Sequence, residues 1–173
     1  MKKIIIISII LFTALSAKAG ENDTYFTISG GWQKSVFQNK HSLIGGRIGI
    51  EFEKRYYKAW ELYFDYAKEY EKYPSSNIAK NNKYFFSEDI YTLGLAYKIP
   101  IIKGKNQHLR FNPNFNVATA THKSFQFGLG IDLEYTVYLS RKVHFYSAIR
   151  NSYMFLGKHN LRNGIYIGFK FNM

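Results

Sequence analysis

Cysteine is absent from the 173-residue chain, so no disulfide staples the fold and no cysteine after a leader can carry a lipid. Acidic residues are scarce, 12 Asp and Glu against 24 Lys and Arg, for a formal net charge of +12. Long apolar runs are lacking too, with one exception at the start. There Lys2 and Lys3 precede an apolar stretch, Ile4 to Leu15, interrupted by Ser8 and Thr13. Ala17-Lys18-Ala19 follows, with the small residues Ala17 and Ala19 where a signal peptidase cuts, and then Gly20. The run is too short to span a bilayer comfortably, so residues 1–19 are read as a cleaved secretory signal and 20–173 as one exported domain. Loss of Lys2, Lys3 and Lys18 lowers the charge to about +9. Nothing after the leader is apolar enough for a membrane helix, so any membrane span must be built of strands.

Metal and phosphate chemistry find no motif. The histidines, at His41, His108, His122, His144 and His159, show no ligand spacing. The glycine pairs Gly30-Gly31, Gly45-Gly46 and Gly128-x-Gly130 fall inside strand patterns, where they permit curvature or close packing. No cofactor is called for. Export argues against nucleic acid as the partner of the basic charge and points to anionic lipid head groups.

What the chain has in quantity is aromatic residues, 18%, set in an alternation of period two. From Leu109 to Thr121, one parity holds Leu109, Phe111, Pro113, Phe115, Val117 and Thr119. The other holds Arg110, Asn112, Asn114, Asn116 and Ala118. Successive side chains of a strand point to opposite faces, so this is a strand with one apolar and one polar side. At roughly 3.3 Å per residue, its length crosses the ~25 Å apolar band of an outer membrane even when tilted. Seven further segments read the same way, at about 24–34, 43–53, 59–71, 86–98, 125–139, 143–154 and 164–173. The sequence therefore predicts an all-β fold, an eight-stranded antiparallel up-and-down transmembrane β-barrel of the bacterial outer membrane.

Charge is sorted by the same parity. Arg47, Glu51, Glu61, Asp65, Arg110, Asp132, Glu134, Arg150 and Lys170 take the polar side, as do Glu53, Glu69, Glu71, Glu88 and Lys98. Lys68 and Asp89 fall on the apolar side near strand ends. An Arg or Lys at the lipid midplane costs roughly 2–4 kcal/mol, so a lipid-facing wall demands this sorting. A soluble half-buried sheet would produce the same pattern with its faces exchanged. In the barrel reading the polar parity lines a lumen just wide enough for side chains. Tyr63, Tyr138, Tyr146 and Tyr166 join it, and the charges form a structural ionic network. Links at 54–58, 99–106 and 140–142 are short, as periplasmic turns are. Those at 35–42, 71–85 and 155–163 face outward, with 121–124 a short exception.

The remaining candidates lie at the outer end. His122-Lys123-Ser124, with Glu88 or Asp89 in reach, has the residue types of a lipid-modifying hydrolase. A nucleophile needs an aligned base, an orienting group and an oxyanion site as well, and the chain is read as non-enzymatic. Outer-loop cations, Lys80, Lys83, Lys123 and Lys158 among them, suit the phosphates of lipopolysaccharide or a partner protein.

Local patterns add a likeness. Tyr57-Lys58-Ala59-Trp60 leads into the third strand, followed by Asp65-Tyr66 and Glu71-Lys72-Tyr73-Pro74. Tyr138-Leu139-Ser140-Arg141-Lys142 makes the turn before the strand of Arg150, and the chain closes on Gly164-Ile165-Tyr166-Ile167-Gly168-Phe169-Lys170-Phe171. In these the chain resembles the conjugal transfer protein TraO family of Bacteroidetes conjugative transposons, loosely over residues 25–173. The resemblance implies an outer-membrane component of a DNA-transfer apparatus that contacts other apparatus proteins and has no enzymatic site. It does not imply nucleic-acid contact, because the lumen of eight strands is too narrow for a strand of DNA. The alternative is a general surface barrel of the adhesin or membrane-stabilising kind.

Charge reversal at Lys80 and Lys83 is expected to weaken binding of lipid A, measured on the folded protein; unchanged binding removes the outer-loop contact.

Overall fold

The computed structural model describes residues 23–36, 41–54, 57–72, 84–120, 123–155 and 161–173. The leader with Ala17 and Ala19, and the outer-loop residues Lys80, Lys83 and Lys158, lie outside the described residues. Eight strands follow one another: β1 Thr24–Ser35, β2 His41–Glu53, β3 Ala59–Lys72, β4 Tyr84–Lys103, β5 Gln107–Ala120, β6 Lys123–Tyr138, β7 Val143–Phe155 and β8 Leu161–Asn172. Each pairs antiparallel with the next, and β1 pairs with β8 to close a barrel. Closure leaves no open strand edge, so the backbone N–H and C=O groups of the wall find partners on both sides, which a span through hydrocarbon requires.

The period-two pattern decides which way each side chain points. In β5, Arg110, Asn112, Asn114 and Asn116 are buried inside, while Phe115 is 47% exposed outside. Ile44, Leu93, Leu129 and Ile165 are each more than half exposed, whereas Glu51 and Lys170 have no exposure at all. The barrel is thus apolar outside and ionic within, the reverse of a soluble domain. Lys68 and Asp89, two charges on the outer parity, are cross-strand partners 3.8 Å apart, and the Tyr66 hydroxyl donates to Asp89 at 2.9 Å. Each charge is offset locally.

Lys123, expected in an outer loop, begins β6, and β8 starts at Leu161, three residues before its expected start. The largest boundary difference is at the end of β4. Residues 99–103, expected to be turn, continue β4, so the β4–β5 turn is only 104–106. The register shifts between Pro100 and Ile102. Proline cannot donate to a ladder and is accommodated at a bulge. The extra residue puts Ile101 and Ile102 both on the exposed side, which breaks the alternation a sequence reader follows.

Two glycines are required by close approach. Tyr63 and Gly94 are cross-strand partners, and a Cβ on Gly94 would overlap the Tyr63 ring. Tyr166 and Gly31 repeat the arrangement between β8 and β1, where a Cβ would meet the Tyr166 ring. Each ring also carries an arginine, Arg47 at 3.3 Å from the Tyr63 centroid and Arg150 at 3.8 Å from that of Tyr166. A guanidinium on a desolvated aromatic face is held by the ring quadrupole.

Gly94→Val should therefore displace Tyr63 and destabilise the barrel by about 1–3 kcal/mol. Urea titration of the folded protein in detergent measures this, and an unchanged midpoint would show that the ring is free to move aside.

Candidate functional site: the lumen and its periplasmic mouth

The inward residues stack in layers. The end of the barrel that carries Thr24 and Asn172 also carries the turns at 54–58, 104–106 and 139–142. Short turns mark the periplasmic side of such barrels, so this end is the periplasmic one.

Deepest on that side is a knot of charge. Glu51 accepts from Arg110 at 2.7 Å, Lys98 at 2.6 Å and Lys170 at 2.8 Å. Glu134 accepts from Lys98 at 2.8 Å and Lys170 at 2.5 Å. Glu61 lies 3.1 Å from Lys98 and takes the Thr27 hydroxyl at 2.8 Å. Farther out, Arg47 donates through two nitrogens to Asp65, at 2.5 and 2.9 Å. Arg150 bridges Asp65 at 3.2 Å and Asp132 at 3.1 Å. Arg47 stands 4.0 Å from Glu61 and so links the two groups. An asparagine ladder runs beside them: Tyr63 donates to Asn116, Asn116 to Asn114 at 2.7 Å, and Asn114 to Asp132 at 3.2 Å.

The nine lumen residues singled out from the sequence are all brought together here. That reading left out of the set Lys98, which touches three carboxylates, and Glu53, 3.2 Å from Arg110. The parity of Lys98 was visible; its centrality was not, because it depends on which residues face it across the lumen. With both included, six acids (Glu51, Glu53, Glu61, Asp65, Asp132, Glu134) meet five bases (Arg47, Lys98, Arg110, Arg150, Lys170). Unpaired charge in such a place would carry a desolvation penalty of several kcal/mol per ion; the close pairing offsets it.

Toward the outer end Leu43, Ala67, Ile90, Ala118, Ala120 and Met154 are buried together, with Gln33, Glu69, Gln126 and Arg162 buried at that end as well. Toward the periplasm it is floored by rings. His108 lies 5.3 Å from Tyr138 and 5.8 Å from Tyr57, and His144 lies 4.4 Å from Tyr138 and 5.0 Å from Tyr25. Arg110 donates to His108 Nε2 at 2.6 Å. That leaves Nδ1 to carry the proton and donate to the Tyr138 hydroxyl at 2.7 Å, so the imidazole is neutral. Tyr57 holds a φ of 62°, a left-handed conformation costing a side chain on the order of 1 kcal/mol or more. Its ring packs on the floor, and its carbonyl accepts from Arg110 at 3.5 Å. Below the floor opens a vestibule of about 660 Å³, lined by Asp23, Tyr25, Glu53, Tyr57, Tyr138 and Arg141 among others.

The hydrolase candidates do not assemble among the described residues. His122 lies outside them, and Lys123 and Ser124 are described only as backbone of β6. Asp89 is already engaged by Tyr66 and Lys68. No cluster of three or more metal-ligating side chains occurs among the described residues.

Removing one partner from the buried knot should be costly. Glu134→Gln is expected to destabilise the barrel by about 3–5 kcal/mol, whereas Asp89→Asn in the exposed outer pair should cost under about 1 kcal/mol. Urea midpoints compare the two directly, and equal shifts would show that the lumen is wetter than its burial indicates.

Solved structures share this architecture at low identity. A major outer membrane protein from Thermus thermophilus is 10% identical with a TM-score of 0.65, covering 89% of this chain and 100% of that one. Neisserial surface protein A is 10% identical with a TM-score of 0.63, covering 89% and 98%. A de novo designed transmembrane β-barrel is 8% identical with a TM-score of 0.52, covering 87% and 95%. No family model matches the chain. No curated protein matches it.

Proposed function

We propose that this chain, an eight-stranded barrel of the bacterial outer membrane, is a non-enzymatic and non-conducting surface barrel whose contacts are made by its two ends. The observation that carries this reading is the filled lumen. A ring floor, two linked ionic groups and an apolar cluster succeed one another along its axis.

A narrower reading, an accessory of a conjugative DNA-transfer apparatus, is favoured by one arrangement. Two of the segments that resemble the TraO family, Tyr57–Trp60 and Tyr138–Lys142, meet at the periplasmic mouth. Tyr57, Tyr138, Leu139, Ser140 and Arg141 line a single vestibule there. A periplasmic protein of the apparatus is the partner that such a site would receive. Transfer of DNA through this chain is not part of the proposal, since the lumen is occupied. At the opposite end, lipopolysaccharide remains the proposed contact of the outer-loop lysines.

Reconstituted in a planar bilayer, the folded protein should give no steady conductance steps; regular steps would overturn the non-conducting reading. Deletion of the gene separates the two biological readings. Loss of mating with an intact envelope supports the transfer role, whereas detergent sensitivity or lost adhesion with normal mating supports the general surface role.

A further inference from the structure

The periplasmic rim carries charge that the lumen does not need. Among the described residues, each of its three turns presents two exposed bases: Lys54 and Lys58 between β2 and β3, Lys103 and Lys105 at the β4–β5 turn, and Arg141 and Lys142 between β6 and β7. Among the described residues, Lys54, Lys58, Lys105, Arg141 and Lys142 join no ion pair. Lys103 lies 5.1 Å over the Tyr57 ring. The acids nearby are few and engaged elsewhere. Glu53 faces Arg110 at 3.2 Å, and Asp23 accepts from the Tyr25 hydroxyl at 3.3 Å. Glu51, Glu53, Glu61, Asp65, Asp132 and Glu134 of the lumen are already met by Arg47, Lys98, Arg110, Arg150 and Lys170, so the rim cations are not needed to pair them.

Their height on the barrel indicates what they meet. On the outer wall next to these turns stands a belt of aromatic residues: Trp60 against Tyr97 at 4.7 Å, Phe145 against Phe169 at 5.6 Å, and Tyr135 and Phe171. Aromatic belts sit at the boundary between acyl chains and head groups. Long cationic side chains just beyond that boundary extend into the plane of the phosphates. The distribution matters as much as the height. In a barrel of eight strands in sequential order, the three turns and the chain ends divide the circumference into four. Charge spread round three of those four positions fits an annulus, whereas a docked protein would need it gathered on one side.

We propose that this crown binds the anionic phosphodiester head groups of phospholipid in the periplasmic leaflet, and so fixes the depth of the barrel on that side. The site is separate from the outer-loop lysines and the lumen. It rests on the membrane-spanning reading of the fold and on the orientation of its short turns.

The test is lipid retention, read by native mass spectrometry of the folded barrel released from bilayers of phosphatidylcholine and phosphatidylglycerol, with lipid A in a separate arm. Wild type should retain phosphatidylglycerol over phosphatidylcholine by about fivefold or more, less at high salt. Replacing these six bases by Gln (Lys54→Gln, Lys58→Gln, Lys103→Gln, Lys105→Gln, Arg141→Gln, Lys142→Gln) should abolish the preference. Exchanging the five lysines for Arg should keep it. Heat-dependent gel mobility checks that both variants are folded. A wild type without preference, a Gln variant that retains it, or lipid A displacing phosphatidylglycerol from the crown would each overturn the proposal. The first of these would leave a soluble acidic partner as the occupant.

Discussion

Lys170 on the last strand reaches Glu51 on the second, 119 residues earlier, inside a cylinder from which solvent is excluded. Neither charge is tolerable there alone, since each would bear an uncompensated loss of hydration. They meet only if β8 returns to β1. Closure and ion pairing are therefore conditions of one another: an open sheet would expose backbone edges to lipid and separate the charges at the same time. The interlocked set of acids and bases is the consequence. Arg47 and Arg150, each seated on a tyrosine that lies over a glycine of the adjacent strand, extend the same solution outward along the lumen.

Along the barrel's axis the charged side chains of the lumen are engaged with one another. The proposed function therefore rests on the rims. The periplasmic rim combines three features: a vestibule lined by Tyr57, Tyr138 and Arg141, a strained Tyr57 backbone held by packing on His108, and exposed bases on all three turns. The wall between the rims is apolar and aromatic, as hydrocarbon requires, and two charges on its outer parity, Lys68 and Asp89, face each other. Placement of charge along the barrel thus follows the dielectric it meets.

Much of the wall was legible in the alternation of residues. Strands such as β5 and β7 lie within two residues of where periodicity put them, because a strand exposed to two media must alternate. The end of β4 was not legible, since Pro100 and the bulge beside it put two isoleucines on one side and ended the pattern early. Among the lumen residues, parity identified which charges point one way. It could not rank them, so Lys98, which touches three carboxylates, was left out of the set. The periplasmic crown was equally hidden: its lysines are ordinary turn residues until three separate turns are seen on one rim.

From its order of residues alone, the chain determined how many strands it makes and which side chains share a face, because both are local consequences of a repeat of two. The alternation by itself serves a soluble sheet or a membrane wall equally; strand count and aromatic load turned the sequence reading toward the membrane wall, and the closed sheet with the ionic parity inside bears that reading out. Partners across the lumen are set by strand stagger and curvature, which act over the whole circumference and leave no trace in any short stretch of sequence.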